Sequence, residues 1–206
     1  MKFSIIAILL LAVSCSSRSF KRDYKVVDAS HKEIPEWINE PMEYAEDEDD
    51  DDFESHRYYV YSTEPKNSKT IACEIAKARA TSEIASEITQ FIQQSLASTI
   101  QGDPTEMDQK LSEYVEDNLA KETQSFVIGS KTFKQYWEKR RFEKDLGAKK
   151  DYDGYVCSVL VKISKENLEL AFNRANQKLV EKADTTKAKA KVAKVIEDAR
   201  EAFHNN

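Results

Sequence analysis

Glycine and proline are scarce in this chain, with four of each among 206 residues. Loop-rich all-β folds depend on tight turns, and glycine and proline are the residues that form many of them. Charged residues make up 33% of the chain, a share typical of solvated helix surfaces. The composition therefore favours long helices with a few strands over an all-β sandwich or barrel.

An excess of positive charge is also missing, since the formal net charge is −6. Binding to a phosphate backbone requires a basic surface. The sequence therefore argues against nucleic acid as a partner.

Catalytic constellations are missing as well. The three histidines, His31, His56 and His204, do not stand at the spacing of metal ligands or of a nucleophile and its base. The chain contains neither His-Glu-x-x-His nor Gly-x-Ser-x-Gly, and it has no glycine-rich phosphate loop. We therefore expect a protein that is not an enzyme and has no cofactor and no metal site.

Long hydrophobic runs are limited to residues 3–13, which follow Lys2. This run is too short to span a bilayer as a helix and has the length of a signal-peptide core. It leads into Leu11-Ala12-Val13-Ser14-Cys15, which has the pattern of a bacterial lipobox. We expect residues 1–14 to be a signal peptide and Cys15 to carry the lipid, palmitate included. An ordinary secretory signal with a chance cysteine is the alternative, because Ala12 stands where leucine is usual.

Two or more acyl chains hold a protein stably on a membrane. Ser16 follows the cysteine, whereas aspartate at that position favours retention in the inner membrane. The expected location is therefore the outer membrane, on its periplasmic face or at the cell surface, with a soluble domain behind the anchor.

Cys73 and Cys157 are the remaining cysteines. An exported protein can form a disulfide, so a bridge between them is one interpretation. From the sequence we favour the other interpretation, in which the two cysteines are unlinked, small, buried residues of one core.

An acidic run at residues 46–52 predicts a solvated, disordered loop, because like charges repel. A calcium site is the alternative, but the run lacks the spaced carboxylates and the glycine of an EF-hand loop. Trp37, just upstream, is too large an apolar residue for a linker, and we expect its segment to dock onto the domain.

Hydrophobic periodicity predicts an α+β fold in the order strand, helix, helix, strand, strand. The predicted elements are a strand at 56–62, a long helix at 69–99, a helix at 103–121 and a hairpin of strands at 124–141 and 152–163. The predicted domains are a lipidated tether with the acidic loop at 15–55, the α+β domain at 56–163 and a C-terminal helical extension at 164–206.

Aromatic residues are concentrated on the predicted strands. One interpretation divides them between the core and the outer face of the sheet. The other makes the outward residues a protein- or glycan-binding surface. The candidates for such an interaction face are Tyr58, Tyr59, Tyr61, Tyr136 and Trp137.

Three features resemble a family of small outer-membrane lipoproteins named after a 20-kDa lipoprotein antigen of epsilon-proteobacteria. They are Ile34-Pro35-Glu36-Trp37-Ile38, the aromatic strand at 58–62 and Ala76-Lys77-Ala78-Arg79-Ala80 in the long helix. The resemblance implies a dodecin-like α+β domain in which three antiparallel strands wrap around the long helix. It also implies a surface or periplasmic lipoprotein without catalytic residues or cofactor. The acidic run is a departure from the family pattern.

These observations predict a non-enzymatic outer-membrane lipoprotein that binds protein or supports assembly in the envelope or in motility. The alternative is a periplasmic carrier of a small ligand, or a hydrolase, with a pocket between the sheet and the long helix. A homo-oligomer formed through the C-terminal helices is a further expectation, because their apolar stripe would otherwise lack a partner.

Overall fold

The computed structural model describes residues 22–100 and 109–204. The signal peptide, Cys15 and the predicted start of the second helix at Asp103 lie outside the described residues. In chain order, the elements are β1 (Tyr24–Ala29), α1 (Pro41–Glu48), α2 (Asp50–Phe53), β2 (His56–Ser62), α3 (Lys69–Ile100), α4 (Gln109–Asp117), α5 (Leu119–Phe126), β3 (Lys131–Phe142), β4 (Tyr152–Ser164), α6 (Lys165–Lys182) and α7 (Thr186–His204).

The sheet is antiparallel and has the strand order β1-β3-β4-β2. The α+β class is confirmed, and β3 and β4 form the predicted hairpin. The expected three strands are wrong by one, because Tyr24–Ala29 in the predicted tether forms an edge strand. Most side chains of that strand are exposed, so its sequence lacks the alternation that marks a half-buried strand.

The long helix α3 packs across one face of the sheet, which we call the inner face. The predicted bounds, 69–99, agree with the structure to within one residue. In the first half of the helix, Ile71 is 54% exposed, whereas the small residues Ala72, Ala76 and Ala80 are buried. Small side chains fill this contact because the helix lies close to the strands, so residue size is a poor guide to the buried face here.

The chain after α3 departs from prediction at Gln124. Residues 124–126 finish helix α5, and strand β3 starts only at Lys131. A turn through Gly129, which has a positive φ of 75°, separates the two elements. The apolar run at 126–128 suggested a strand, but Val127 is instead buried in the helical part of the core.

The C-terminal extension is part of the fold. Ser164 caps α6, since its Oγ accepts a hydrogen bond from the Asn167 N–H at 3.2 Å. The apolar side of α7 is buried against α3 and α6, with Val192, Val195 and Phe203 in the main core. The stripe that suggested oligomerisation is therefore covered within the same chain.

The opposite, outer face of the sheet is covered by the N-terminal segment. A 3-10 turn at Glu36–Ile38 and helices α1 and α2 lie over it, and their contacts form a second, smaller core. Trp37 is buried in this core, which confirms that its segment docks. The predicted tether at 15–55 thus contributes residues 24–53 to the folded unit.

Candidate functional site

The five aromatic residues of the predicted interaction face do not form one surface. Tyr58 and Tyr136 are 7% and 4% exposed and belong to the outer core. Tyr59, Tyr61 and Trp137 lie on the inner face and are half-buried against the main core. Neighbours along a strand point to opposite faces, and both faces of this sheet are covered. The predicted aromatic surface is therefore wrong.

Lys162, at the end of β4, pairs with two carboxylates of the acidic run. Its Nζ lies 2.6 Å from Asp49 Oδ2 and 2.8 Å from Asp52 Oδ2. The Tyr58 hydroxyl donates to Asp49 Oδ2 at 2.7 Å, and the Phe133 ring centroid lies 5.0 Å from the ammonium. The expected disordered loop is wrong because this cation on the sheet neutralises part of the run and fixes it as α1 and α2.

Ionisation follows this geometry. Burial acts to raise the pKa of Asp49, but the hydrogen bonds from Lys162 and Tyr58 outweigh it, so the pKa lies below its usual value. The hydrogen bond from Lys162 also lowers the pKa of Asp52. Burial acts to lower the pKa of Lys162, yet the two carboxylates hold that pKa above its usual value. Burial and the Asp49 carboxylate raise the pKa of Tyr58. All three charges of the cluster are therefore maintained at neutral pH.

A cleft of about 320 Å³ opens beside this cluster, where β2 meets α3, α6 and α7. Its walls combine aromatic and aliphatic side chains with charged groups of both signs. They are formed by Met42, Phe53, Glu54, His56, Arg57, Tyr58, Tyr59, Glu87, Lys165, Leu168, Glu169 and Phe203. A mixed lining of this kind suits a ligand with apolar and polar parts.

Arg57 and Glu87 fix one side of the cleft. Arg57 Nη1 donates to Glu87 Oε1 at 2.5 Å, and Nη2 donates to the Phe203 carbonyl at 2.8 Å. The guanidinium also lies 4.8 Å from the centroid of the Phe203 ring. The Tyr59 hydroxyl donates to the other Glu87 oxygen at 2.6 Å, and burial together with this carboxylate raises the Tyr59 pKa. These bonds join β2, α3 and the end of α7 in one network.

His56 lies near a serine and an aspartate, a combination that sequence spacing did not single out. Its Nδ1 lies 2.9 Å from Ser55 Oγ, 3.1 Å from the Asp52 carbonyl and 3.8 Å from the Asp52 carboxylate. A catalytic relay needs the serine on one ring nitrogen and the carboxylate on the other. Here one nitrogen faces all three groups, so the contacts fix a turn and do not activate Ser55.

A buried carboxylate, Glu138 on β3, was missed at the level of sequence. Its side chain accepts hydrogen bonds from the Tyr136 hydroxyl at 2.8 Å and from Arg140 Nε at 2.5 Å. The residue is only 2% exposed, and burial with this carboxylate raises the Tyr136 pKa. The local sequence, Glu138-Lys139-Arg140-Arg141, looks like a solvated charge run. Only the alternation of the strand, once its register is known, identifies Glu138 as buried.

Cys73 and Cys157 are joined by a disulfide with a Cα–Cα distance of 5.0 Å. It connects α3 to the central strand β4, and both residues are buried. The favoured prediction was two unlinked cysteines, whereas the structure has them bonded. The burial of both residues agrees with that prediction. The sequence alone could not show whether the two cysteines are bonded, because 84 residues separate them.

Among residues 22–100 and 109–204, no three or more His, Cys, Asp or Glu side chains are grouped so that they could bind a metal ion. Within the same ranges, no helix has both the length and the apolar character needed to cross a bilayer.

Comparison with protein-family models, with curated proteins and with solved structures finds no significant match to this chain.

Proposed function

We propose that this protein is a bacterial lipoprotein, anchored to the outer membrane through Cys15, which acts by binding a protein partner in the envelope and not by catalysis. The observation that carries the proposal is the buried Cys73–Cys157 disulfide. Disulfides persist in exported proteins and are rare in the cytosol, so the bond supports the interpretation of residues 1–14 as an export signal. The lipobox pattern ending in Cys15 supplies the anchor.

The distance between anchor and domain supports a role close to the membrane. Eight residues separate Cys15 from Tyr24, the first residue of β1. Even fully extended, eight residues reach only about 28 Å. The domain would therefore remain close to the membrane and to other proteins anchored there.

The absence of catalysis in this proposal rests on the arrangement of the candidate groups. Arg57 and Tyr59 both donate hydrogen bonds to Glu87 at the cleft, and the Ser55–His56 contact lacks the geometry of a relay. We include in this proposal the resemblance to the 20-kDa lipoprotein antigen family. The resemblance brings with it the dodecin-like fold and the link to motility or envelope assembly.

Affinity capture tests the binding function. The tagged full-length protein is crosslinked in intact envelopes of the producing bacterium, purified and compared with a Cys15→Ala variant expressed at the same level. A specific partner is expected with the wild-type protein and is expected to be depleted with Cys15→Ala, which would not be retained at the membrane. Recovery of no partner, together with a normal envelope after gene deletion, would contradict the proposal.

A second candidate function, carriage of a small ligand, is favoured by the cleft of about 320 Å³ beside Arg57 and Tyr59. Native mass spectrometry of the protein purified from envelopes would reveal a retained ligand as added mass. That added mass is expected to be lost in a Tyr59→Phe, Arg57→Gln variant. If every preparation shows only the mass of the chain and its lipid, the result would contradict this second function.

A further inference from the structure

The edge strand β1 has one free edge among the described residues, because only β3 pairs with it. The Glu143 N–H donates to the Asp23 carbonyl at 3.3 Å, and the Ser30 N–H donates to the Trp137 carbonyl at 2.9 Å. Backbone groups alternate in direction along an antiparallel strand. Tyr24 and Ala29 therefore direct their N–H and C=O groups away from β3, towards the free edge. An unpaired row of this kind is a template for another strand.

A bulge lies at the centre of β1. Val26 pairs with Arg140 and Asp28 pairs with Lys139, so Val27 has no partner of its own in the ladder. Val26 and Val27 together form the bulge and count as one position in the ladder. Two residues of β1 then lie on each side of that position. Tyr24 and Lys25 precede it, and Asp28 and Ala29 follow it.

This order is complementary to itself in the antiparallel direction. With a twofold axis through the bulge, Lys25 of one copy lies opposite Asp28 of a second copy, and Tyr24 lies opposite Ala29. The two outward-directed residues, Tyr24 and Ala29, thus meet at positions where both backbones offer hydrogen bonds. The exposed Val26 and Val27 of one copy meet the same residues of the other across the axis.

We propose that the free edge of β1 binds a second copy of this chain through the symmetric antiparallel pairing of residues 24–29. The two four-stranded sheets would then form one continuous sheet, with the same strand contributed by each copy. Charge complementarity selects the second copy as occupant, because both Lys25–Asp28 pairs form in this register. Lys25 already contacts Glu143 at 2.7 Å within one chain, and the exposed ammonium is able to lie between both carboxylates.

A contact of one short strand is small, and small interfaces are weak. Attachment of both copies to one membrane would raise their effective concentration and so the dimer population. The pairing itself does not depend on the lipid, so it is tested both in envelopes and with the purified chain.

Cysteine crosslinking measures the contact directly. Val27→Cys places a thiol beside the twofold axis, and Leu170→Cys on α6 is its matched control, since both native residues are 42% exposed. Full-length variants are oxidised mildly and separated without reductant, with the unsubstituted chain as the control for Cys15. The proposal predicts several-fold more dimer for Val27→Cys than for Leu170→Cys. Equal amounts, or a product with a different protein in place of a dimer, would overturn it.

Charge reversal tests the register in the Val27→Cys background. Lys25→Asp and Asp28→Lys are each expected to reduce the dimer several-fold, because each places like charges opposite one another. The double variant Lys25→Asp, Asp28→Lys is expected to restore it. Glu143→Gln removes only the contact within the chain and is expected to leave the dimer unchanged. A double variant that stays as low as the single ones, with an unchanged circular dichroism spectrum, would contradict the proposed pairing.

Discussion

Lys162 shows how a single residue determines the position of a whole segment. Its ammonium lies between Asp49 and Asp52 and packs against the Phe133 ring on the outer face of the sheet. A buried cation requires counter-charges, and the acidic run supplies them. The run therefore folds onto the sheet although its composition is typical of disorder.

Lys162→Met tests this account at the level of the residue. Loss of the cation leaves the half-buried Asp49 without its charged partner, and we expect the free energy of unfolding to fall by about 1–3 kcal/mol. Urea denaturation measures the change. Lys131→Met is the control, since Lys131 is exposed and pairs with Lys162 in the ladder between β3 and β4. Equal stabilities for the two variants would show that Lys162 does not hold the segment.

Acid is expected to weaken the same contact. The folded-state pKa values of Asp49 and Asp52 lie below the ordinary value of 3.8, so their stabilisation is complete above that pH and is lost as the pH falls through the folded-state values. The raised pKa of Lys162 acts only at the alkaline end. Fluorescence of Trp37 in a Trp137→Phe background measures the release of the segment. Lys162→Met should remove much of this acid transition, and an unchanged transition in that variant would contradict the assignment.

At the level of elements, the sequence predicted those whose own residues carry a clear pattern. Apolar residues recur along 152–163 and predicted β4, which is buried on both faces at residues 156–161, and the hairpin with β3 followed from it. Elements that depend on distant partners were not predictable. The edge strand β1 has few buried side chains, and α1 and α2 need Lys162, which lies 113 residues after Asp49. The cleft lies between β2, α3, α6 and α7, and it was not predictable from the sequence for the same reason.

Helix α7 is held at its end by Arg57, and this predicts a local effect of Arg57→Gln. The variant loses the bond to the Phe203 carbonyl and the contact with its ring. We expect amide exchange in the last turn of α7 to accelerate about tenfold, which corresponds to about 1.4 kcal/mol. Arg200→Gln is the comparison, because Arg200 also ties α7 to α6, through Glu169, but is much more exposed. Exposed pairs contribute little. A larger effect for Arg200→Gln would contradict the prediction.

For the whole molecule, both faces of the sheet are covered, by α3 with the C-terminal helices on one side and by the N-terminal segment on the other. The aromatic residues of the sheet are therefore divided between two cores and do not form the surface that the sequence suggested. The disulfide links the helical layer to the sheet across 84 residues of chain.

Removal of the disulfide is expected to destabilise the whole domain. A cross-link that closes a loop of this length restricts the unfolded chain, and its loss costs about 3–5 kcal/mol. Urea denaturation of a Cys73→Ser, Cys157→Ser variant measures the change, with Cys15→Ser as the control that should retain full stability. Free thiols at both positions in protein isolated from envelopes would contradict the account of an exported domain.

Attachment at Cys15 is the central claim, and the intact mass of the protein purified from membranes tests it most directly. The account predicts a chain that begins at Cys15, without residues 1–14, and carries the mass of the lipoprotein acyl groups. The Cys15→Ala variant should lack that mass and leave the membrane fraction. An unacylated chain, or one that retains residues 1–14, would contradict the account.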